Sequence, residues 1–229
     1  TTLLGTGLSV MYYVSGLWTW VIVLSALILA GVIYLTRPAL KISLPKLARA
    51  DWLWGGGILV IEAILLTTLY THRTYGVLNS PWRALPLWFF GVYFIGMIAT
   101  LAAPWFVRSR ALAYVTTALH LFTTFGVTLI MYPLGFGFDG FIHRATEDWI
   151  AANGFILPKQ PVYIGQYTLV VWLAKITAIP LHLIDSWLVP LLASLTLPAL
   201  FQRLFTRVWN FPNALALNLT WLYPALYFL

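Results

Sequence analysis

Three of the six carboxylates in this sequence lie within ten residues of one another, in the stretch YPLGFGFDGFIHRATEDWI (132–150). In a helix over 139–152, Asp139, His143 and Glu147 would follow one another at intervals of four residues and share one face. A carboxylate beside a histidine can take a proton from a hydroxyl or amine nucleophile while a cation holds a phosphate leaving group. The spacing therefore indicates a site for proton transfer, and the alternative is that these acids only keep a loop soluble.

The opposite face of the same predicted helix is apolar. Such a helix is amphipathic, with its apolar side toward lipid or protein and its polar side toward water or a cavity. Asn153-Gly154 is a stop signal for it. Beyond it, Lys159 lies in the Pro-bounded segment LPKQP, where it could contact a phosphate as a point charge. The apolar stripe consists of Ile142, Ala145, Trp149 and Ala152.

The composition around this stretch is that of a membrane protein. The 229 residues are 61% hydrophobic and 8% charged, with a mean hydropathy of +0.88, far less charge than a water-soluble domain carries. Apolar runs of about 20 residues recur, long enough to cross a hydrocarbon core of ~30 Å. The sequence therefore predicts an all-α, polytopic transmembrane helical bundle. The net charge of +7 indicates no nucleic-acid partner, because Lys and Arg lie mostly in short loops.

We expect about six spans, with the acidic loop 134–166 between the fourth and the next. Residues 167–184 include Lys175 and His182, and Asp185 follows directly; these residues suit a helix at a wet interface better than a span buried in lipid. If 167–184 did span, the basic turn after it would be placed outside. The expected spans are 17–36, 52–71, 86–107, 111–133, 187–202 and 212 to the end.

The positive-inside rule orients this multi-pass protein. Loops 37–51 and 108–111 carry six Lys or Arg residues, against four in loops 72–85 and 134–166. We therefore expect the first two loops in the cytoplasm and the acidic loop 134–166 on the extracytoplasmic side. The chain lacks an initiator Met and ends within an apolar run, so we expect a fragment of a larger protein.

The run GFDGFIHRATEDWIAANGFILPKQPVYIGQYTLVVWLAKI resembles the first extracytoplasmic loop of GT-C-fold glycosyltransferases, which are polytopic enzymes. In that family a span leads outward to a loop with a catalytic Asp, an amphipathic juxtamembrane helix, a Pro-rich segment, an interfacial helix and a span that ends in a basic turn. The resemblance divides the chain into N-terminal transmembrane helices, 1–111, and a GT-C-like core portion, 112–229. The elements that follow the family order are Asp139, the helix 141–152, Gly154, Pro158 to Tyr163, the stretch 167–184 and RLFTR at 203–207.

The resemblance implies an enzyme that transfers a sugar from a polyprenyl-phosphate carrier on the extracytoplasmic face. Its partners would be membrane lipid and the carrier-linked sugar. Asp139 matches the family's catalytic acid, His143 would assist it, and Glu147 is a weaker candidate for a second acidic position. The chain departs from the family in having at least three spans before the one that leads to the acidic loop. The candidates for binding substrate or the lipid phosphate are Lys159, Tyr163 and Arg144.

Two other functions compete with this interpretation. The chain could be a non-catalytic scaffold whose Trp- and Phe-rich faces pack against other membrane subunits. It could also be a transporter or channel, with Glu62 and His120 lining a polar path. Glu62 lies in the middle of a span, where an acid costs at least ~2.5 kcal/mol unless it is protonated or paired with Arg or His of another helix.

The sequence predicts no metal site from side-chain spacing. No cluster of His and carboxylates has the spacing of metal ligands, and cysteine is absent. The acidic loop could nevertheless bind a divalent cation, Mg²⁺ or Mn²⁺, beside a phosphate. In the spans, Gly55-Gly56-Gly57 is expected to let helices approach closely.

Overall fold

A computed structural model of the chain describes residues 2–36, 47–76, 78, 80–135, 140–157 and 161–227. Over these residues the chain forms helices and turns and contains no strand, which confirms the all-α prediction. Short 3-10 turns occur at Pro81–Ala84 and Leu219–Trp221. The α-helices are α1 (Thr2–Ser15), α2 (Thr19–Thr36), α3 (Arg49–Thr71), α4 (Leu87–Phe106), α5 (Arg110–Met131), α6 (Gly140–Asn153), α7 (Pro161–Thr177), α8 (Leu181–Arg207), α9 (Asn213–Asn218) and α10 (Leu222–Tyr227).

Four of the described helices, α3, α4, α5 and α8, are long and apolar enough to cross a bilayer. These four helices indicate a membrane protein. Helix α2 is apolar but shorter, and the segment after Pro212 is divided into α9, a 3-10 turn and α10. The predicted number of about six spans is therefore not confirmed, since the described part of the chain supports four.

The predicted break between the interfacial helix and the following span is displaced. Helix α7 begins inside the predicted loop, ends at Thr177, and is followed by Ala178 with a φ of 57°. The carbonyl of Pro180 then accepts hydrogen bonds from the amides of Leu183 and Ile184, at 3.0 and 3.3 Å, and starts α8. Residues 181–184 thus belong to the long apolar helix and not to the predicted interfacial one.

One compact unit combines residues 1–42 with 136–188, so it holds α1, α2, α6, α7 and the first two turns of α8. Helix α7 lies at its centre, because α1, α2 and α6 all pack against it. The Tyr12 hydroxyl donates to the carbonyl of Ile156 (2.6 Å) and accepts from its amide (2.9 Å), which fixes α1 to the segment after α6. The core consists of Leu8, Tyr12, Leu17, Ile22, Ile150, Ile164, Tyr167, Val171 and Trp172.

Helix α6 ends where the sequence predicts, at Asn153-Gly154. Gly154 has a φ of +80°, its amide donates to the carbonyl of Ile150, and its carbonyl accepts from the amide of Leu17 at 2.8 Å. A Cβ atom at this position would lie 2.9 Å from the indole of Trp18. Both the left-handed backbone and the close approach of the ring therefore require glycine.

The second compact unit combines residues 43–135 with 189–229. Helices α3, α4 and α5 pack pairwise against one another. A Cβ at Gly55 would lie 3.0 Å from Leu112 of α5, which confirms the predicted close approach at one position of the glycine run. Cβ atoms at Gly56 and Gly57 would meet nothing within 4 Å.

Helices from both sides of residue 111 contribute to each unit, since α1 and α2 join α6 and α7, while α3 and α4 join α5. The division into 1–111 and 112–229 rests on the family resemblance and stays a prediction.

Candidate functional site

The site lies on the side of α6 that packs against α7. Thr146, Glu147 and Ile150 are buried there, while Ile142 and Trp149 of the apolar stripe are 51% and 54% exposed. The acid side of the amphipathic helix, predicted to face water or a cavity, is instead largely enclosed within its own unit. An ionisable group in such a position needs a partner or a shifted pKa.

His143 begins the site, one turn before Glu147. Its Nδ1 lies 2.6 Å from the hydroxyl of Tyr167, which is buried on α7. Its ring also lies beside Tyr163, with 5.2 Å between centroids, and the two tyrosine rings stack on each other one helical turn apart. The hydrogen bond and the rings on α7 together fix the orientation of the imidazole.

Glu147 and Arg144 are the buried polar groups of the site. Glu147 is fully buried, and its carboxyl group interacts with the carboxyl group of Asp185. The Nε atom of Arg144 is buried and has no hydrogen-bond partner within the described ranges. Native proteins leave few buried polar atoms in this state, and those that remain often mark a place for a ligand, ion or water.

Electrostatics connects these side chains to the first turn of α8. Burial raises the pKa of Glu147 to about 8, the negative charges of Asp185 and Asp148 add to the rise, and Arg144 opposes it. Asp185 interacts with both Glu147 and Arg144. At neutral pH Glu147 is therefore mostly protonated, and Arg144 is the fixed positive charge between two carboxyl groups.

This arrangement offers three chemical capacities in one place. Arg144 can hold an anion, because a guanidinium has donors only and one of its buried donors lacks a partner. Protonated Glu147 can donate a hydrogen bond without adding a negative charge beside that anion. His143, positioned by Tyr167, offers an imidazole that can accept or donate a hydrogen bond to a ligand.

Four of the six predicted site residues, His143, Arg144, Glu147 and Tyr163, are brought together. Asp139 and Lys159 lie outside the described residues. The sequence did not identify Tyr167 or Asp185 as members of the site. Two signals could have identified them. One is the spacing of four residues between Tyr163 and Tyr167, and the other is Asp185 as a single acid in an apolar stretch.

The described residues contain no group of three His, Cys, Asp or Glu side chains that could hold a metal ion. The predicted Mg²⁺ or Mn²⁺ near the acidic loop stays a prediction. Comparisons with protein families, curated proteins and solved structures find no match for this chain.

A second polar cluster lies in the other unit. Glu62 of α3 contacts Nδ1 of His120 on α5, and the Thr123 hydroxyl donates to the other Glu62 oxygen at 2.5 Å. Glu62 is 1% exposed and His120 is fully buried. Glu62 is thus paired with a histidine of a neighbouring helix, one of the two arrangements that the sequence left open.

Threonine hydroxyls of α5 also donate to carbonyls of their own helix, at Thr116, Thr117 and Thr124.

Proposed function

We propose that this chain is an integral-membrane, multi-pass glycosyltransferase-like protein of the GT-C type. It transfers a sugar from a polyprenyl-phosphate carrier to an acceptor, with the acidic loop 134–166 on the extracytoplasmic face. The observation that carries the proposal is the buried, unpartnered Nε of Arg144 beside the protonated Glu147, on the helix that follows Asp139.

Arg144 supplies the phosphate subsite in this proposal. Charge-assisted hydrogen bonds from a guanidinium to phosphate oxygens are among the strongest in proteins and suit a leaving group that becomes more negative during transfer. Lys159 would add a second positive charge. A neutral Glu147 favours the same ligand, since an ionised carboxylate beside the phosphate would repel it.

Asp139 is the proposed general base. It takes the proton of the acceptor hydroxyl as the acceptor oxygen forms a bond to the anomeric carbon of the sugar. The bond from that carbon to the phosphate oxygen breaks, and its electron pair leaves with the polyprenyl phosphate. His143, held by Tyr167, assists the proton transfer, and Tyr163 offers a ring for the sugar to stack on.

The test is mass spectrometry of the lipids that co-purify with the full-length protein. Wild type should retain a polyprenyl-phosphate species. Arg144→Gln should lose at least about tenfold of that enrichment, because a charge-assisted phosphate contact is removed. Arg207→Gln is the control, since Arg207 is exposed at the end of α8, and it should retain the lipid.

Asp139→Asn separates catalysis from binding. The variant should keep the carrier and accumulate its glycosylated form, because the donor binds and is not consumed. Bulk phospholipid alone in all samples, together with stable co-purification of other membrane proteins, would overturn the proposal in favour of a scaffold subunit. The transporter alternative gains no support from Glu62 and His120, which pair with each other in a buried position.

A further inference from the structure

A cavity of about 440 Å³ lies in the second unit, beside the Glu62–His120 pair and apart from the site on α6. Its volume is in the range of small-molecule sites, about 300–1,000 Å³. It lies between α4, α5 and the helical segment after Pro212. Most of its wall is aromatic, and its principal lining residues are Trp82, Phe90, Tyr93, Phe94, Met97 and Trp221.

Two buried polar atoms at this wall, or directly behind it, have no hydrogen-bond partner in the described part of the chain. They are the indole Nε1 of Trp221, which lines the cavity, and Nε2 of His120, whose ring lies 5.3 Å from the Trp221 ring. An indole N–H can only donate a hydrogen bond. A ligand that satisfies it must therefore carry an acceptor, such as a carbonyl or hydroxyl oxygen.

The charge of the surroundings favours a neutral ligand. The lining residues that the structure describes include no charged side chain, and the polar groups of Tyr93 and Thr124 are hydrogen-bonded to each other at 2.8 Å. Behind them, Glu62 and His120 are paired with each other. A phosphate headgroup would find no cation here, and burying an unpaired charge is costly.

The position along α4 indicates that the ligand comes from the bilayer. Tyr93 lies about 9 Å along the helix from its first residue, at 1.5 Å per residue, within one of the four candidate spans. Phe94, on the same wall, is 53% exposed. The aromatic rings also offer faces on which a flat or unsaturated group can stack.

We propose that this cavity binds a neutral lipid whose carbonyl or hydroxyl oxygen accepts a hydrogen bond from the indole N–H of Trp221. Two classes of membrane lipid share this chemistry, quinones through a carbonyl oxygen and prenols through a hydroxyl. The site does not depend on the proposed sugar transfer, because it uses residues of the other unit.

The experiment measures equilibrium binding of tritiated farnesol to the full chain in lipid nanodiscs. Competitors are farnesene, which lacks the oxygen, farnesyl phosphate, which adds charge, and a benzoquinone with a decyl tail. Farnesol should bind about fivefold more tightly than farnesene, because one neutral hydrogen bond contributes about that factor. Farnesyl phosphate should compete poorly, because its charge would be buried without a partner. Stronger competition by the quinone than by unlabelled farnesol identifies the quinone class, and the reverse identifies the prenol class.

Two variants locate the binding. Trp221→Phe keeps an aromatic ring and removes the N–H, so it should abolish the preference for farnesol over farnesene and retain binding of both. Met97→Trp fills the cavity and should abolish saturable binding. Trp105→Phe is the control, because Trp105 is exposed on α4 outside the cavity, and it should bind as wild type does.

Equal affinity for farnesol and farnesene in the wild type would overturn the proposal, as would saturable farnesol binding that survives Met97→Trp. The α-helical circular dichroism and the thermal unfolding of each variant show that it is folded. If Trp221→Phe does not fold, Met97→Trp and the farnesol-to-farnesene ratio of the wild type still decide the question.

Discussion

His143 on α6 and Tyr167 on α7 are joined by a hydrogen bond of 2.6 Å between Nδ1 and the phenolic hydroxyl. Tyr167 is fully buried and belongs to the core that holds α1, α2, α6 and α7 together. The bond therefore links the imidazole of the candidate site to the buried core of its unit. A histidine held in this way presents its other ring nitrogen in a fixed direction.

Tyr167→Phe should weaken the unit by about 1 kcal/mol, because it removes one buried hydrogen bond and keeps the ring. Tyr163→Phe is the matched control, since Tyr163 is 40% exposed and contacts His143 through its ring. It should change the unfolding free energy by less than ~0.5 kcal/mol. Thermal unfolding of the purified variants in one detergent measures both, and equal losses would contradict the role of the hydroxyl.

The raised pKa of Glu147 predicts a pH-dependent stability. The pKa is about 8 in the folded protein against 4.5 for the free group, so the folded state binds more protons than the unfolded state between these values. The contribution of Glu147 to the free energy of unfolding should therefore be greatest below pH 4.5 and should fall as pH rises toward 8. At 1.36 kcal/mol per pKa unit the loss would be at most about 5 kcal/mol.

Glu147→Gln isolates this contribution, because glutamine keeps the shape and cannot ionise. The variant should lose the decline in unfolding temperature between pH 5 and pH 8 and be the more stable protein at pH 8. Asp148→Asn is the comparison variant; Asp148 is exposed and its charge only adds to the rise in the pKa of Glu147, so this variant should keep the decline. Unfolding curves across this pH range that are parallel for wild type and Glu147→Gln would show that Glu147 has an ordinary pKa.

The long helices could be predicted from the sequence because their signal is local. The apolar runs at 52–71, 86–107 and 111–133 each match a helix within a few residues, and Asn153-Gly154 marks the end of α6. The break at 178–180 could not be placed, because leucine and isoleucine continue on both sides of Pro180 and no change in composition accompanies the turn.

The membership of the site depends on packing, which one sequence does not contain. Glu147 and Asp148 are adjacent acids, and a rotation of about 100° along a helix separates a buried side chain from an exposed one. Which of them faces inward depends on the side of α6 that meets α7. Asp185 interacts with Glu147 only because the first turn of α8, which follows α7, lies close to α6. Spacing along one helix cannot reveal such a relationship between distant residues.

The Glu62–His120 pair predicts strong coupling between two helices. Glu62→Leu alone should cost about 3–5 kcal/mol, because it leaves a buried histidine without its partner. The double variant Glu62→Leu/His120→Leu should be more stable than Glu62→Leu, since no unpaired polar group remains. Unfolding free energies of the two singles and the double in one detergent give the coupling, and additive losses would show that the pair is energetically independent.

Gly154 provides a test of how α6 is fixed to the segment before α2. Gly154→Ala introduces a side chain at a φ of +80° and within 2.9 Å of the Trp18 ring. The variant should lose about 1–3 kcal/mol of stability, from backbone strain together with displacement of the indole. Gly7→Ala in α1 of the same unit is the control, because its Cβ would meet nothing within 4 Å and alanine is the better helix former by ~0.5–1 kcal/mol. Thermal unfolding should therefore move the two variants in opposite directions. A Gly154→Ala protein as stable as wild type would mean that the Trp18 ring moves aside without cost and that the left-handed residue is not needed to end α6.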